Sequence, residues 1–229
     1  MPLNIAIDGP SGAGKSTAAK LLSKNLGFLY IDTGALYRTV GLYCLRAGVS
    51  DLRCGKQVAP KLEEIQIELK FIDGAQRVLL NGEDASDQIR TPEVSMAASD
   101  VSSIPCVREF LLELQRSIAR ENNVIMDGRD IGTVILPDAQ VKFFLSASIE
   151  ARARRRTKEL KERGVDAAYD TVLAEMEERD KNDSSRAIAP LKAAEDAVLI
   201  DNSALSLEEA VALMERLIKE RVDTCSIGL

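Results

Sequence analysis

The chain contains five short hydrophobic runs of strand length, separated by longer segments in which apolar residues recur every three or four positions. The runs are 3–7, 28–31, 123–126, 141–145 and 197–200. The helical stripes at 18–26 and 36–47 each end at a glycine, which favours the left-handed conformation that follows many helices. Short apolar strands that alternate with amphipathic helices predict an α/β fold, with a five-stranded parallel sheet and helices on both faces.

One stretch interrupts this alternation. Between residues 68 and 80, strand-like positions flank Asp73-Gly74, and Asn81-Gly82 follows, which predicts antiparallel hairpins. Thr91-Pro92-Glu93 then predicts the start of a helix. We therefore expect a small α+β insert at about 55–98, between the second and third strands of the core. The core would comprise 1–54, 99–147 and 165–229.

The composition limits the chemistry that the chain can perform. Its 229 residues are 45% hydrophobic and 29% charged, as in an ordinary globular protein, and none is histidine. Ser-His-Asp and Cys-His relays, histidine-ligated metals and an imidazole general base are therefore excluded. Any catalysis must use carboxylates, cationic side chains and backbone dipoles.

Charge and cysteine spacing exclude further classes of function. The net charge of −6 argues against binding nucleic acid or an anionic membrane through overall charge. The cysteines form no C-x-x-C pair, so neither a zinc site nor a disulfide framework is expected; they are Cys44, Cys54, Cys106 and Cys225. No leader pattern and no run of eighteen apolar residues is seen, so we expect a cytoplasmic protein. We also expect a monomer, because covering the sheet accounts for the helical stripes.

A phosphate-binding motif lies between the first predicted strand and the first predicted helix. The pattern G-x-x-x-x-G-K-[ST] is met by Gly9-Pro10-Ser11-Gly12-Ala13-Gly14-Lys15-Ser16. In such a loop the backbone N–H groups and the helix dipole bind phosphates, the lysine reaches the β and γ oxygens, and Ser16 is the expected Mg²⁺ ligand. The alternative is a glycine-rich turn with a chance lysine, which the flanking elements disfavour. Because N-K-x-D and L-S-G-G-Q-like signatures are absent, GTPase switches and transport ATPases are not expected.

Arginines follow two further predicted strands. Thr33 and Arg38 come after the second strand, and Arg129 and Asp130 come after the third, so both segments open at the carboxyl edge of the sheet. Each arginine could instead be a surface charge, and Asp32 or Asp127 could simply cap a helix. Two such segments beside one phosphate loop favour transfer between two phosphate-bearing substrates.

A strongly basic segment follows the fourth strand. Residues 148–163 carry seven basic and three acidic side chains, which is typical either of a solvated helix or of a mobile lid over the transferring phosphoryl group. We expect a helical lid at about 148–164. Arg179 and Asp183 lie four residues apart and could form only an ordinary helical ion pair, with Arg186 following.

With these motifs in view, the sequence resembles the bacterial cytidylate kinases, which are nucleoside monophosphate kinases, over essentially its full length. The matching motifs are G-P-S-G-A-G-K-S-T at 9–17, D-T-G-A-L-Y-R at 32–38, I-R-T-P-E-V at 89–94, D-G-R-D-I-G-T at 127–133 and S-R-A-I-A-P-L at 185–191. The phosphate loop is generic, whereas D-G-R-D and R-A-x-A-P-L are specific to the family. The insert resembles the extra domain on the monophosphate side of bacterial members.

The resemblance implies a role for each matching residue. ATP would be bound by Gly9, Pro10, Ser11, Gly12, Ala13, Gly14, Lys15, Ser16 and Thr17. The CMP phosphate would be held by Arg38, Arg129 and Arg186, the ribose by Arg179 and Asp183, and the cytosine by Thr33, Ser99, Arg108 and Asp130. From the loop motif and the expected lid, together with Arg129, we expect the catalytic groups to be Lys15, Arg129, Arg154 and Arg155. Thr17 is the alternative Mg²⁺ ligand, since Ser16 stands where many monophosphate kinases have glycine.

The implied reaction is the Mg²⁺-dependent phosphorylation of CMP and dCMP by ATP. The chemistry of the base agrees, because Asp130 can accept from the 4-amino group of cytosine and Arg108 can donate to a ring acceptor, whereas uracil reverses the first two groups. The residues alone leave two alternatives open. One is a kinase of another small acceptor, such as UMP, AMP or a hydroxylated metabolite. The other is a non-catalytic nucleotide-binding module.

Overall fold

The computed structural model describes residues 2–72, 75–162 and 164–222. The strands are β1 Asn4–Asp8, β2 Leu29–Asp32, β3 Ile67–Ile72, β4 Ala75–Leu80, β5 Glu83–Asp84, β6 Val124–Gly128, β7 Val141–Ser146 and β8 Val198–Asp201. The helices are α1 Lys15–Leu26, α2 Thr33–Arg46, α3 Gly55–Leu62, α4 Pro92–Val101, α5 Pro105–Glu121, α6 Ile149–Glu162, α7 Tyr169–Ser185 and α8 Leu207–Arg221. A 3₁₀ turn lies at Gln88–Arg90 and a π-helical turn at Ile131–Ile135.

The larger sheet confirms the predicted five-stranded α/β core. Its order is β2-β6-β1-β7-β8, and β7 pairs in parallel with both β1 and β8. The five strands correspond to the five hydrophobic runs, but each extends one or two residues further, to a polar residue or glycine. The hydrophobic pattern missed these last positions because the chain is still extended where it becomes polar. They are the positions from which loops at the carboxyl edge begin.

The chain divides into two compact units. The first is formed mainly by Leu29–Val124, and the second by Leu3–Phe28 together with the chain from Ile125 onward. Among the described helices, none is long and apolar enough to cross a membrane.

The first unit contains the predicted antiparallel hairpins. β4 pairs antiparallel with β3 and with β5, and Asn81 and Gly82, at φ 51° and 86°, form a two-residue turn of the type that matches strand twist. The other predicted turn, Asp73-Gly74, lies outside the described residues. β4 supplies Val78 and Leu80 to one hydrophobic core shared with α2 and α5.

The predicted helix start in this unit is confirmed. Thr91 Oγ1 accepts a hydrogen bond from the Val94 N–H at 3.2 Å, and Pro92 occupies the first helical position of α4. A threonine oxygen here satisfies an amide that has no partner within the helix. The helix begins where the sequence predicts because its cap is local.

The second unit carries the phosphate loop and the basic helix. α6 and α7 pack through a small apolar cluster of Ala153, Leu160, Val172 and Met176. α8 begins at the predicted capping box, in which Ser206 and Glu209 each bind the other's backbone N–H. The basic segment is therefore a helix with one buried face, and Arg163 at its end lies outside the described residues.

Candidate active site

The phosphate loop lies between β1 and α1, as its motif requires. Gly9 has φ 145°, and a Cβ atom there would lie 1.9 Å from the carbonyl oxygen of Leu145, so only glycine fits. Gly14 is the N-cap of α1 at φ 90° and has no side chain with which to cap it. The first N–H groups of α1 are thus presented by backbone alone, which is the arrangement that binds phosphate oxygens at a helix N-terminus.

Lys15 is a desolvated cation inside this loop. It is 5% exposed, and its Nζ donates to the carbonyl oxygen of Pro10 at 2.7 Å. Burial, together with the nearby Arg129 guanidinium, lowers the pKa of Lys15 to about 7. A cation that is both desolvated and close to another cation favours an anionic ligand.

Ser16 and Asp127 place two oxygen atoms together beside the loop. The Ser16 hydroxyl donates to Asp127 Oδ2 at 2.7 Å, and Asp127, in the last part of β6, is 4% exposed. A hydroxyl and a carboxylate fit Mg²⁺, which takes few protein ligands and completes its shell with phosphates and water. Within the described residues, no group of three or more acidic or cysteine side chains could hold a metal by itself.

Asp183 forms ion pairs with arginines of the same unit. It is 1% exposed, its Oδ2 accepts from Arg129 Nε at 2.8 Å, and its Oδ1 pairs with Arg186. Burial raises the pKa of Asp183, but Arg129, Arg186 and Arg179 outweigh it and hold that pKa below the ordinary value. Asp183 is therefore an ionised carboxylate that binds more than one arginine. One of them, Arg129, comes from outside α7, so the interaction is more than an ion pair within one helix.

The D-G-R-D segment is held by a carboxylate from another strand. Asp8, at the end of β1, accepts from the backbone N–H groups of Ile131 and Gly132, each at 2.8 Å. Burial, opposed by these bonds, raises the pKa of Asp8 to about 6. Asp130, immediately before the turn, is 3% exposed.

The first unit holds the remaining predicted substrate residues. The Arg38 guanidinium pairs with Asp32 at 2.7 Å, and Asp32 also caps α2 by accepting from the Ala35 N–H at 3.0 Å. Burial raises the pKa of Asp32, but the opposing effect of Arg38 and the Ala35 amide is larger, so this pKa lies below the ordinary value. Asp32 thus does cap a helix, and it also positions Arg38.

A short chain of contacts connects two of the three residues of this unit that are predicted to bind cytosine. Arg108 lies 5.7 Å from the centroid of the Tyr37 ring and donates through Nη1 to the carbonyl oxygen of Ser102 at 3.2 Å. Ser102 in turn donates to the carbonyl oxygen of Ser99 at 2.8 Å. Thr33, at the start of α2, is buried. The unit therefore brings Ser99 and Arg108 into one network.

The basic helix contacts the phosphate loop through an arginine that the sequence did not single out. Arg152 is 5% exposed, donates to the carbonyl oxygen of Ser11 at 3.1 Å and pairs with Asp180 at 2.6 Å. Arg155 donates to the carbonyl oxygen of Asn202 at 2.5 Å, whereas Arg154 is exposed.

Asn202 completes the support of the loop. Its Nδ2 donates to the carbonyl oxygen of Ala13 at 2.8 Å. Asn202, Asp8, Arg152 and Asp180 were all missed by sequence reasoning. Asp8 carried one usable signal, an acidic residue that ends a buried strand directly before the loop; the others depend on contacts that no local pattern encodes.

The comparison with known families agrees with the resemblance. A family model described as cytidylate kinase matches residues 5–220. The chain belongs to the cytidylate kinase family. Curated cytidylate kinases from Caldicellulosiruptor bescii and Geobacter sulfurreducens are similar to it, at 52% identity over 91% of this chain and 92% of the relative, and at 50% over 96% and 94%.

A solved structure supports the fold alone. An uncharacterized protein from Eubacterium ventriosum matches 96% of this chain and all of its own with a TM-score of 0.53 at 14% identity. Membership in the cytidylate kinase family confirms the predicted enzyme class, a nucleoside monophosphate kinase, and with it the use of ATP. The individual site residues remain predictions.

Proposed function

We propose that this protein transfers the terminal phosphoryl group of ATP to CMP and dCMP, giving CDP and dCDP, with Mg²⁺ as cofactor. The observation that carries the proposal is the set of cations that surrounds the phosphate loop within the second unit, in a chain whose curated relatives are named cytidylate kinases. The proposal includes a cytoplasmic, monomeric enzyme that acts on these small molecules and binds neither nucleic acid nor membrane.

On the donor side, the loop 9–17 binds the phosphates of ATP. Its backbone N–H groups and the N-terminus of α1 bind the β-phosphate, and Lys15 exchanges its bond to Pro10 for the β and γ oxygens. Ser16 and Asp127 hold Mg²⁺, which neutralises phosphate charge when bound; their contact favours Ser16 over Thr17 as the ligand.

On the acceptor side, the reaction needs no general base. The acceptor is an ionised phosphate oxygen, so catalysis consists of in-line positioning and neutralisation of negative charge. Arg38, Arg129 and Arg186 bind the CMP phosphate, and Arg179 and Asp183 bind the ribose. A chain without histidine can perform this chemistry fully.

The base is selected by hydrogen bonds of defined direction. Asp130 accepts from the 4-amino group of cytosine, and Arg108 donates to a ring acceptor, with Thr33 and Ser99 contributing polar atoms. Uracil presents a carbonyl where cytosine presents the amine, which leaves the Asp130 carboxylate facing an acceptor.

The test is a panel of acceptors with ATP, in which ADP release is measured for CMP, dCMP, UMP and AMP. CMP and dCMP should have the highest kcat/KM. A better efficiency with another monophosphate would assign a different substrate, and release of ADP with none of them would favour the non-catalytic alternative.

The base contact has its own test. Asp130→Ala should lower the CMP-over-UMP preference by roughly 10- to 100-fold, since each good base contact contributes about 1–3 kcal/mol of discrimination. A mutant that keeps the wild-type preference would contradict the role of Asp130.

A further inference from the structure

A buried aspartate that no phosphate-binding motif includes lies directly before the phosphate loop. Asp8 is the last residue of β1 and is 3% exposed. Its Oδ1 accepts from Ile131 N and its Oδ2 from Gly132 N, each at 2.8 Å. Both oxygens are therefore directed at the turn that follows Asp130, which lies more than 120 residues away along the chain.

The turn is capped by Asp8, a residue distant in sequence, and not by its own N-cap residue. Asp130 occupies the N-cap position of the π-helical turn Ile131–Ile135, but its side chain makes no cap hydrogen bond. An aspartate at this position ordinarily accepts from a backbone N–H of the first turn. Here Asp8 accepts from the first two N–H groups instead, so the Asp130 carboxylate does not serve as the cap.

The backbone around Asp130 is fixed on other sides as well. The Asp130 carbonyl oxygen accepts from Val134 N at 2.9 Å and from Ile135 N at 3.2 Å. A Cβ atom on Gly132 would lie 3.1 Å from the side chain of Lys142 and 3.4 Å from Asp8 Oδ2. The turn is thus packed between the Asp8 carboxylate and the Lys142 stem, and its position depends on both.

We propose that Asp8 is a positioning residue that determines base specificity: by capping the turn in place of Asp130, it holds the Asp130 carboxylate in the orientation that accepts from the 4-amino group of the pyrimidine. This inference rests on the proposed function, in which Asp130 reads cytosine. Asp8 acts through Asp130 and through the two amides that it binds.

The role requires a carboxylate. Two N–H groups need two acceptor oxygens, which an ionised aspartate provides and an asparagine does not. In Asp8→Asn one oxygen remains, while the amide NH₂ faces a backbone N–H. The variant therefore keeps the shape of the side chain and loses one of the two bonds.

The experiment compares kcat/KM for CMP and for UMP in Asp8→Asn. The CMP-over-UMP ratio should fall by roughly tenfold, because Asp130 is no longer held for the amine. The ratio is taken within one enzyme, so changes in folded fraction or in ATP binding cancel. Amide hydrogen exchange at Ile131 and Gly132 should become faster in the same variant.

Glu209→Gln is the matched control. Glu209 is an exposed carboxylate that accepts from the Ser206 N–H at 2.8 Å at the start of α8. This variant makes the same carboxylate-to-amide change at a site that accepts only one N–H, which the remaining amide oxygen can still bind, and it lies away from the turn. Its CMP-over-UMP ratio should equal that of the wild type.

A double mutant separates positioning from a direct role. In an Asp130→Ala background, Asp8→Asn should change the ratio no further. A wild-type ratio in Asp8→Asn alone, or a further fall in the double mutant, would overturn the inference.

Gly132→Ala is a second variant, for use where Asp8→Asn does not fold. Its added Cβ atom would crowd the Lys142 side chain and touch Asp8 Oδ2, so it disturbs the packing of the turn and should also lower the ratio; an unchanged ratio there would contradict the positioning role. A wild-type enzyme with no preference for CMP would overturn the proposed function itself, and the inference with it. A preference that survives in the variants would refute the role of Asp8 alone.

Discussion

The Ser16 hydroxyl donates a hydrogen bond of 2.7 Å to the Asp127 carboxylate, which joins the end of the phosphate loop to the end of β6. Asp127→Asn should raise the free Mg²⁺ concentration needed for half-maximal activity by roughly 10- to 100-fold, because one of two protein oxygens loses its charge. The measurement is initial rate against free Mg²⁺ at saturating ATP and CMP. An unchanged Mg²⁺ requirement would remove Asp127 from the metal site.

Asp201→Asn is the control for this prediction. Asp201 is an exposed carboxylate that ends another strand of the same sheet, β8, and it binds Ser203. Its replacement removes one negative charge from a strand end without touching the Ser16–Asp127 pair. The Mg²⁺ dependence of this variant should match that of the wild type.

Lys15 is predicted to be needed for turnover, and its burial as a cation costs the folded protein stability. Its pKa is lowered to about 7 by burial and by Arg129, so the charged form is disfavoured in the folded protein. Lys15→Met should lower turnover by about two orders of magnitude or more, while raising the free energy of unfolding without nucleotide by about 1–2 kcal/mol. Coupled ADP release and urea denaturation at pH 7 measure the two effects.

Lys24→Met on the same helix provides the comparison. Lys24 is exposed in the last turn of α1, so its loss should leave turnover unchanged. If Lys15→Met retained normal turnover, the phosphate-loop assignment would be wrong. If it lowered stability, the cost assigned to the buried cation would be wrong.

The sequence could predict the five strands and the phosphate loop because both are encoded locally. A buried strand is a run of apolar residues, and the loop is a continuous motif of glycines with Lys15. The contact between Asn202 and Ala13 is different, since it joins residues 189 positions apart. Nothing near Asn202 distinguishes it from an ordinary loop asparagine until the order of β1, β7 and β8 is known.

The hydrophobic pattern also stops short of the polar residues at the ends of the strands. Asp8 and Asp32 each follow a hydrophobic run, so the pattern ends before them, yet both are still in strands. Asp127 was considered only as a helix cap, and its contact with Ser16 requires two strands to lie side by side. Sequence reasoning therefore named the groups that are predicted to contact phosphates, but it did not find the contacts that hold those groups in place.

Asp32 should affect both stability and acceptor binding. It caps α2 through Ala35 N and pairs with Arg38. Asp32→Ala should lower the free energy of unfolding by about 1–3 kcal/mol and should raise the KM for CMP, because Arg38 loses the partner that orients it. Thermal denaturation and steady-state kinetics with CMP are the measurements.

The matched variant is Thr91→Ala, which removes the cap of α4 without touching an arginine. It should cost about 1 kcal/mol and leave the KM for CMP unchanged. Equal changes in KM for the two variants would mean that a lost cap, rather than the position of Arg38, impairs binding.

Asp8 should give the protein a specific pH dependence of stability. Its pKa rises from an ordinary 3.8 to about 6, so between these values the folded state binds more protons than the unfolded state. Its contribution to stability is fully present below pH 3.8 and is lost as the pH rises through 6, a change of about 3 kcal/mol. The unfolding free energy of the wild type minus that of Asp8→Asn, measured by urea denaturation at several pH values, should fall by that amount as the pH rises from below 3.8 to above 6. A flat difference would contradict the raised pKa.

The basic helix α6 offers the last prediction, since two adjacent arginines differ in their contacts. Both Arg154→Ala and Arg155→Ala should slow phosphoryl transfer, by roughly tenfold or more, if α6 covers the reacting phosphates. Only Arg155→Ala also removes the bond to the Asn202 carbonyl oxygen, which ties α6 to the end of β8. It alone should therefore speed proteolysis within α6 in the absence of nucleotide.

Lys158→Ala, which changes an exposed side chain of the same helix, should alter neither the rate of transfer nor the rate of proteolysis. Equal proteolysis of the two arginine variants would show that the bond to Asn202 does not restrain the helix, and normal transfer in both would refute the lid.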